Sequence, residues 1–337
     1  MMKWIRSFGF AVALLVGAGV AAAQSLVVDT QYVDHALKSG AVVWDARDAD
    51  EYADGHIPGA VNIGWGGELF RDPNREDPPS PAVAAKIFGG GGMDILGKDV
   101  IVYTNKGDAF AYFAARMVEY YGGKHAKVYH GGIEDWQAAG MPMAKEPTKL
   151  APVALNLSSE GQGALTTKDV VERVRAGSAQ IVDVRTPKEY SGEDIRAIRG
   201  GHIPGAINIP YEQNWKDPAT GAKLASKQVK TRDGMALKSQ DELKALYSKL
   251  DPNKETIVYC QSGVRASESA AVMRALGFTN VKVYEPSWLG YAGALSAPAD
   301  NEVFVNVGAL NGRIASLQGQ LKALEAEVAK MQAQAKR

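Results

Sequence analysis

An internal repeat is the feature of this chain that most constrains its fold. Three short motifs in the first half of the 337 residues recur, in the same order, in the second half. The matched segments are residues 42–47 with 181–185, residues 55–63 with 201–209, and residues 101–104 with 257–260. The copies are much farther apart than the roughly 20–50 residues of a solenoid repeat. The repeat therefore predicts two globular domains that arose by duplication.

Each copy alternates short β-branched segments with longer helical patterns. Strands are predicted at residues 42–45, 100–103, 181–183 and 256–259. Helices are predicted at residues 109–121, 239–249 and 266–276. Strands that alternate with helices form a parallel sheet flanked by helices. We therefore predict an α/β protein with one such sheet in each domain.

The domain boundaries are predicted from the repeat and from local composition. Residues 24–147 are assigned to the first domain and residues 164–299 to the second. Residues 148–163 contain proline, serine and glycine without a periodic apolar pattern, which is typical of a linker. A glycine-rich segment at residues 89–92 interrupts the first domain, and its composition points to no chemistry.

The N-terminal segment has the features of a secretory signal peptide. Lys3 and Arg6 precede an uncharged stretch, residues 8–22, which ends in small residues at Ala21 and Ala23. An uncleaved membrane anchor is the alternative, but the apolar stretch is shorter than the ~20 residues that span a bilayer. We therefore expect cleavage after Ala23, export to a periplasm, and no membrane span in the mature chain.

Charge and cysteine content exclude several classes of function. The chain has 38 Lys and Arg against 38 Asp and Glu, whereas nucleic-acid binding requires a basic surface. Its single cysteine, Cys260, excludes an internal disulfide and any multi-cysteine metal site. We predict no metal site and no nucleic-acid partner. An unpaired thiol in an oxidising compartment suggests that the thiol is used.

Cys260 is expected where a strand meets a helix. Residues 256–259 read as a strand, Gly263 permits a tight turn, and a helix begins near Arg265. Ligands bind at this carboxyl edge of parallel sheets. Backbone N–H groups and the helix dipole stabilise a thiolate, and Arg265 adds a charged donor. The predicted catalytic residues are Cys260 and Arg265, and the predicted active loop also contains Gln261, Ser262, Gly263 and Val264. A buried cysteine that only fills space is the alternative.

The chain resembles the tandem rhodanese-domain sulfurtransferases over residues 27–297. The resemblance rests on the Asp-x-Arg strand ends, the two Gly-His-Ile-Pro-Gly-Ala segments and the Cys-x-x-Gly-x-Arg loop. It implies two rhodanese-like domains and a cysteine that carries sulfane sulfur as a persulfide. It also implies a small anionic sulfur donor and an acceptor that is cyanide, a thiol or a thioredoxin-like protein. No cofactor is implied, because the sulfur is carried by the enzyme itself.

The first copy departs from this pattern. Thr104 stands in the place of Cys260, and Ala109 in the place of Arg265. A threonine hydroxyl cannot carry a persulfide, and Asp108 places negative charge where an anion would bind. We therefore expect the first domain to be catalytically silent and to form one wall of a cleft.

Other polar residues of the second copy have less specific predictions. Asp183 is expected to pair with Arg185 and support the loop, and substrate contact by Arg185 is left open. The relatives can carry an arginine six residues after this aspartate, where this chain has Glu189. Arg196 and Arg199 are the candidates to supply positive charge to the substrate. His202 matches His56 of the first copy, which favours a structural hydrogen bond over a catalytic role.

Several functions remain open within this interpretation. We predict a sulfurtransferase of the thiosulfate:cyanide type, because Arg265 suits a compact dianion. The alternatives are a 3-mercaptopyruvate sulfurtransferase, whose relatives have Cys-Gly-Ser-Gly-Val-Thr in this loop, and a non-catalytic binding or sulfur-relay module. A cysteine phosphatase would separate the cysteine and the arginine by five residues, whereas four intervene here.

The C-terminal residues 303–337 carry a heptad pattern outside the resemblance. Apolar residues recur at alternating spacings of three and four. This pattern predicts a helix that forms a coiled coil in a homo-oligomer, a dimer or a trimer. A helix that folds back on its own domain is the alternative. The apolar positions are Val307, Leu310, Ile314, Leu317, Leu321, Leu324, Val328 and Met331.

Overall fold

The computed structural model describes residues 26–72, 77–123, 126–159 and 165–335. The predicted signal peptide, residues 1–23, lies outside the described residues, as do residues 160–163 of the predicted linker. No helix in the described part of the chain is both long and apolar enough to cross a membrane.

The first domain is built on a three-stranded parallel sheet in the order β1-β2-β3. All residues of these strands are buried, which explains their continuous apolar character. Helices cover both faces of the sheet. The strands are β1 (Val42–Asp45), β2 (Val100–Tyr103) and β3 (Ala126–Val128). The helices are α1 (Thr30–Lys38), α2 (Ala49–Asp54), α3 (Gly66–Leu69), α4 (Pro81–Gly90), α5 (Phe110–Tyr120) and α6 (Gly132–Ala138).

The second domain repeats this plan with a four-stranded parallel sheet, β6-β4-β7-β8. Its strands are β4 (Gln180–Asp183), β6 (Ile207–Asn208), β7 (Thr256–Tyr259) and β8 (Val281–Val283). Its helices are α7 (Thr167–Ala176), α8 (Pro187–Ser191), α9 (Thr220–Ala225), α10 (Gln240–Leu246), α11 (Val264–Ala275) and α12 (Ser287–Gly293), with 3-10 turns at Tyr211–Asn214 and Asp233–Met235. The two-domain α/β prediction is confirmed.

A two-stranded antiparallel sheet connects the second domain to the residues that follow it. Strand β5 (Arg199–His202) pairs with β9 (Asp300–Phe304). The final helix, α13 (Val307–Ala335), therefore begins four residues later than the predicted residue 303. The backbone of residues 300–304 is committed to the ladder with β5 and cannot also be helical.

The two domains pack against each other through equivalent helices. Helix α5 of the first domain lies against α11 of the second. Val264 and Ala271 of α11 belong to the apolar cluster of the first domain. Since α11 begins with Val264 and Arg265, the last two residues of the predicted active loop, this packing places the first domain next to Cys260.

Candidate active site

Cys260 lies directly after β7, at the carboxyl edge of the second sheet, and is 1% exposed. Its backbone N–H donates to the hydroxyl of Ser287 over 3.2 Å. Ser287 has a left-handed backbone with φ +49°, which is uncommon for a residue other than glycine. This conformation belongs to the start of α12, so the turn before α12 helps to fix the cysteine. Ser287 was not predicted as a site residue, because nothing in the sequence around it indicates a contact with residue 260.

The loop after Cys260 has its carbonyl groups held by neighbouring groups. The carbonyls of Cys260 and Gln261 accept from the N–H groups of Trp288 and Leu289, over 3.0 and 3.1 Å. The carbonyl of Gly263 accepts from the N–H and the hydroxyl of Ser267, over 3.0 and 2.9 Å.

The N–H groups of the same loop have no such partners. Those of residues 261–265 donate no hydrogen bond to any residue that the structure describes. Successive free N–H groups in a turn, followed by a helix N-terminus, form a cradle for negative charge. The cradle can stabilise a thiolate, a persulfide or a bound oxyanion.

Gly263 makes this turn possible. Its φ is +88°, in the left-handed region, and it immediately precedes α11. A Cβ atom at this position would lie 2.9 Å from Oε2 of Glu285. Both the backbone conformation and the space around it therefore require glycine.

Arg265 is bound to Glu189 and is not a free donor. Its two terminal nitrogens donate to the two carboxylate oxygens over 2.7 and 2.8 Å. Arg196, whose side chain is 52% exposed, also donates to Glu189, over 3.2 Å. Burial alone would raise the pKa of Glu189, but the hydrogen bonds and charge of Arg265 lower that pKa to about 2. Glu189 therefore stays ionised and compensates both arginines.

A cavity of about 760 Å³ opens above the loop and is lined by both domains. The second domain contributes Arg196, Tyr211, Glu212, Cys260, Gln261, Ser262, Val264 and Arg265. The first domain contributes Trp65, Gly67, Glu68, Arg71, Asp72 and Phe110. The lining thus contains three arginines and three acidic side chains, and burial raises the pKa of one of these, Glu212.

Arg71 is the first-domain residue with direct hydrogen bonds to the active loop. Its guanidinium donates to the carbonyl of Ser262, and to the Ser262 hydroxyl over 2.9 Å. The same guanidinium lies over the ring of Phe113, 4.6 Å from its centroid. No sequence pattern points to Arg71, because the repeat and the loop motif lie elsewhere in the chain.

Asp183 and Arg185 form a buried pair below the sheet edge, outside the cavity. Arg185 donates to both carboxylate oxygens of Asp183 and to the carbonyl of Gly201. The hydroxyl of Tyr259 also donates to Asp183. The first domain has the same arrangement, in which Arg47 and Tyr103 bind Asp45. A pair that occurs equally in the domain without a thiol supports the fold, and substrate contact by Arg185 is thereby corrected to a structural role.

His202 and Arg199 also have structural contacts. A ring nitrogen of His202 lies 2.8 Å from the carbonyl of Tyr190, and His56 makes the equivalent contact with Tyr52. The predicted structural hydrogen bond of His202 is therefore present in both domains. Arg199 is buried, bonded to Glu302 and to four carbonyls around α12, and does not reach the cavity. The expectation that Arg199 supplies charge to the substrate is corrected, whereas Arg196 does line the cavity.

The corresponding loop of the first domain has a threonine, Thr104, in the place of the cysteine. Thr104 is buried, and its hydroxyl donates to the neighbouring carbonyl of Asn105. Asp108 accepts from the N–H of Phe110, and burial raises the pKa of its carboxyl group. Among the described residues, no group of three or more His, Cys, Asp and Glu side chains is arranged to hold a metal ion.

These features define a class of protein: tandem α/β domains in which one loop cradles a single thiol and the other has lost it. The chain belongs to the rhodanese-like domain family, whose model matches residues 29–139 and 166–294. Each matched segment contains one of the two parallel sheets, so the match to the family model includes both copies of the repeat.

Curated relatives and a solved structure agree with this assignment. The chain is 32% identical to a putative thiosulfate sulfurtransferase of Saccharopolyspora erythraea, over 82% of this chain and 97% of the relative. It is 32% identical to the thiosulfate sulfurtransferase of Corynebacterium glutamicum, over 77% of this chain and 84% of the relative. The structure of the 3-mercaptopyruvate sulfotransferase SseA from Escherichia coli aligns with a TM-score of 0.64 and 26% identity, over 78% of this chain and 99% of that one. The chain is thus a sulfurtransferase homologue.

Proposed function

We propose that this protein transfers sulfane sulfur from thiosulfate to a thiophilic acceptor through a persulfide on Cys260. The Cys260 thiolate attacks the outer sulfur of thiosulfate, and the S–S bond breaks with its electron pair leaving on sulfite. An acceptor such as cyanide then attacks the outer sulfur of the persulfide. Thiocyanate leaves and the Cys260 thiolate is regenerated, so no external oxidant or reductant is needed.

The observation that carries this proposal is the set of free N–H groups at residues 261–265 around a buried thiol. A terminal persulfide sulfur carries negative charge, and so does the departing sulfite. Preorganised N–H donors in a site shielded from water stabilise such charge as it develops. The equivalent loop of the first domain follows the same kind of strand but has Thr104 in place of the cysteine. Substitutions in that loop therefore serve as controls for substitutions at Cys260.

Thiosulfate is favoured over 3-mercaptopyruvate by the arginines of the cavity. Arg71, Arg196 and Arg265 line it. The one carboxylate of Glu189 is shared by Arg196 and Arg265, so guanidinium groups in excess of this carboxylate suit a compact dianion. Use of 3-mercaptopyruvate would instead break a C–S bond and leave the enolate of pyruvate, which must take up a proton. The two donors therefore release different products, sulfite and pyruvate, and this difference allows a direct test.

The test is a single-turnover reaction of the purified protein with each donor. Intact-mass spectrometry is expected to show one added sulfur, about 32 Da, on the peptide that contains Cys260 after thiosulfate treatment. Cyanide should then release thiocyanate in equal amount. Cys260→Ser is expected to abolish both signals, whereas Thr104→Ser, the same type of change in the silent loop, should leave them intact.

Each alternative outcome has a clear meaning. Pyruvate release at a higher kcat/KM than sulfite release would overturn the choice of donor. No persulfide with either donor would overturn the enzymatic proposal in favour of a non-catalytic module. Single turnover without cyanide turnover, but with transfer to reduced thioredoxin, would replace cyanide by a protein thiol as the acceptor.

We also propose that the protein acts after export to a periplasm. The support is the basic, apolar and small-residue pattern of residues 1–23. Expression of the full chain followed by cell fractionation and N-terminal sequencing tests this. A periplasmic product that begins at Gln24 is expected, and an intact cytoplasmic product would contradict it.

A further inference from the structure

We propose that Arg71 of the silent first domain is a positioning residue for the persulfide loop of the second. This inference rests on the proposed function only in that the loop carries the reaction. The silent domain would then be required because it supplies one of the groups that hold the active loop in shape.

The carbonyl groups of the active loop are held by both domains. The carbonyls of Cys260, Gln261 and Gly263 are all held by groups of the second domain itself, on α11 and α12. The carbonyl of Ser262 is held by Arg71, which belongs to the other domain. Arg71 therefore completes a set that the catalytic domain leaves incomplete.

The geometry of the peptide bond links the Ser262 carbonyl to the next N–H group. In a planar trans peptide the C=O and the following N–H point in opposite directions. A guanidinium that fixes the Ser262 carbonyl on one side therefore fixes the Gly263 N–H on the other. Gly263 has a left-handed backbone, and without this anchor the 262–263 peptide can rotate more freely and turn its carbonyl toward the anion.

Arg71 is itself held in place. Its guanidinium lies over the ring of Phe113 on α5 and makes two hydrogen bonds to Ser262. A second first-domain arginine, Arg116, donates to Glu285 over 3.0 Å, and the Glu285 carboxylate occupies the space next to the Cα of Gly263. The first domain thus holds the Ser262 carbonyl directly and orients the carboxylate that packs against Gly263.

The structure contains a matched control on the silent side. Arg232 of the second domain donates to the carbonyl of Lys106 over 3.4 Å. Lys106 is two residues after Thr104, as Ser262 is two residues after Cys260. Arg232→Ala therefore removes an interdomain arginine–carbonyl contact of the same kind, and among the described residues the bonds of Arg232 go to Lys106, Met235 and Glu134 rather than to the active loop.

The experiment compares Arg71→Ala, Arg71→Lys and Arg232→Ala in the full chain. We expect Arg71→Ala to slow persulfide formation at least tenfold through kcat, with KM for thiosulfate less affected. We also expect the pH profile of Cys260 alkylation by iodoacetamide to move to higher pH, and methylguanidinium to restore part of the rate. Arg71→Lys should retain an intermediate rate, and Arg232→Ala should match the wild type in all three measurements.

The opposite results are equally specific. A wild-type rate and alkylation profile in Arg71→Ala would overturn the proposal, as would equal losses in Arg71→Ala and Arg232→Ala. If Arg71→Ala does not fold, Arg71→Lys replaces it in the comparison. A wild-type rate and a wild-type pH profile of alkylation in Arg71→Lys would then overturn the proposal. Alkylation needs no sulfur donor, so a shifted profile in a protein that forms no persulfide would retain this inference and reject the proposed function.

A separate observation concerns helix α13. All its side chains that the structure describes are exposed, and the eight apolar heptad residues are between 44% and 58% exposed. The alternative in which the helix folds back on its own domain is therefore not the observed arrangement. Gly308, Gly312 and Gly319 all fall outside these eight apolar positions, which therefore form a continuous apolar seam along the helix.

We propose that a second copy of this chain covers the seam as a two-stranded coiled coil. β-Branched residues at Ile314 and Val328, with leucine at the alternate positions 310, 317 and 324, favour two strands. The charges that flank the seam suit a second copy in either orientation. Arg313 would face Gln318 of a parallel copy or Glu327 of an antiparallel one, and neither arrangement brings like charges together.

Light scattering on the chain from residue 24 to the end tests this, with a chain ending at residue 306, which keeps β9, as comparison. We expect a dimer mass for the first and a monomer mass for the second. Leu321→Lys, in the seam, should also give a monomer, whereas Gly319→Lys, in open space, should stay dimeric. A monomeric full chain, or equal masses for all four proteins, would overturn the proposal.

Discussion

Glu189 accepts hydrogen bonds from both terminal nitrogens of Arg265, over 2.7 and 2.8 Å. The carboxylate therefore neutralises the positive charge that the loop motif predicts for binding the substrate. Arg196 shares the same carboxylate. Glu189 therefore sets the balance of charge at the edge of this cavity. The donor must compete with a resident carboxylate.

Glu189→Gln is expected to lower KM for thiosulfate about fivefold. Loss of one negative charge next to two partly solvated arginines is worth ~1 kcal/mol for a bound anion. Steady-state kinetics over a range of ionic strength measures the effect, which should weaken as salt is added. Glu242→Gln is the matched control, because Glu242 holds the same capping-box position in α10 but binds no arginine of the site. An unchanged or higher KM in Glu189→Gln would contradict the prediction.

The same variant predicts a pH dependence of stability. The pKa of Glu189 falls from an ordinary 4.5 to about 2 in the folded protein. A lowered carboxyl pKa stabilises the fold above pH 4.5, and this stabilisation is lost as pH falls toward 2. Wild type should therefore exceed Glu189→Gln by about 3 kcal/mol at pH 7 and by almost nothing near pH 2. Urea unfolding followed by circular dichroism measures this, and a difference independent of pH would refute the assignment.

Gly263→Ala is expected to cost about 1–2 kcal/mol of stability and most of the activity. The left-handed backbone at φ +88° accounts for the energy, and contact with Glu285 displaces the loop. Gly277→Ala separates the two effects, since Gly277 has φ +95° with open space around its Cβ position. It should lose similar stability in thermal unfolding and keep full persulfide formation. Equal activity losses in both variants would mean that Gly263 has no specific role in the loop.

Gly89→Ala is expected to lower the free energy of unfolding, whereas Gly90→Ala is expected to leave it unchanged or raise it. A Cβ at Gly89 would lie 2.3 Å from the carbonyl of Val153 in the linker, whereas Gly90 has nothing within 4 Å. The linker also docks there through a hydrogen bond from the Val153 N–H to the Gly89 carbonyl. Gly89→Ala should cost about 1–3 kcal/mol, and Gly90→Ala should be neutral or gain ~0.5 kcal/mol. Chemical unfolding of the two variants tests this role of the glycine-rich segment. Equal effects would show that the linker does not pack on Gly89.

Arg116→Met is expected to destabilise the protein by about 3–5 kcal/mol at pH 7, because it leaves Glu285 buried without its main partner. The two side chains are 7% and 6% exposed and 3.0 Å apart. Burial raises the pKa of Glu285, and without Arg116 that pKa rises further. The loss should therefore be small near pH 4.5 and grow as pH rises toward 7.

Arg173→Met provides the control for this pair. Arg173 and Glu255 are also 3.0 Å apart, but their side chains are 27% and 18% exposed. Exposed pairs contribute ~1 kcal/mol or less, so this variant should change little between pH 4.5 and 7. Similar losses in both variants would show that burial of the interdomain pair is not the cause.

The duplicated α/β fold, the strands β1, β2, β4 and β7 and the position of Cys260 follow from the sequence alone, whereas the other five strands were not predicted. Strands β1, β2 and β7 begin and end at the predicted residues, because each is a short, fully buried apolar segment. The loss of the thiol at Thr104 and the need for glycine at position 263 are equally local. Each is decided by one residue type at one place in a repeated motif.

The partners of the loop were decided by the tertiary structure. Arg71 and Ser262 are separated by 191 positions, and Arg196 and Arg265, two of the three arginines that line the cavity, share Glu189 from α8. Periodicity and motif spacing report only on neighbours along the chain, so they could not distinguish Arg196, which lines the cavity, from Arg199, which binds the carbonyls around α12. The sequence by itself determined which residue can carry sulfur. Packing of α5 against α11 decided which charges surround it, since only that packing brings the silent domain to the thiol.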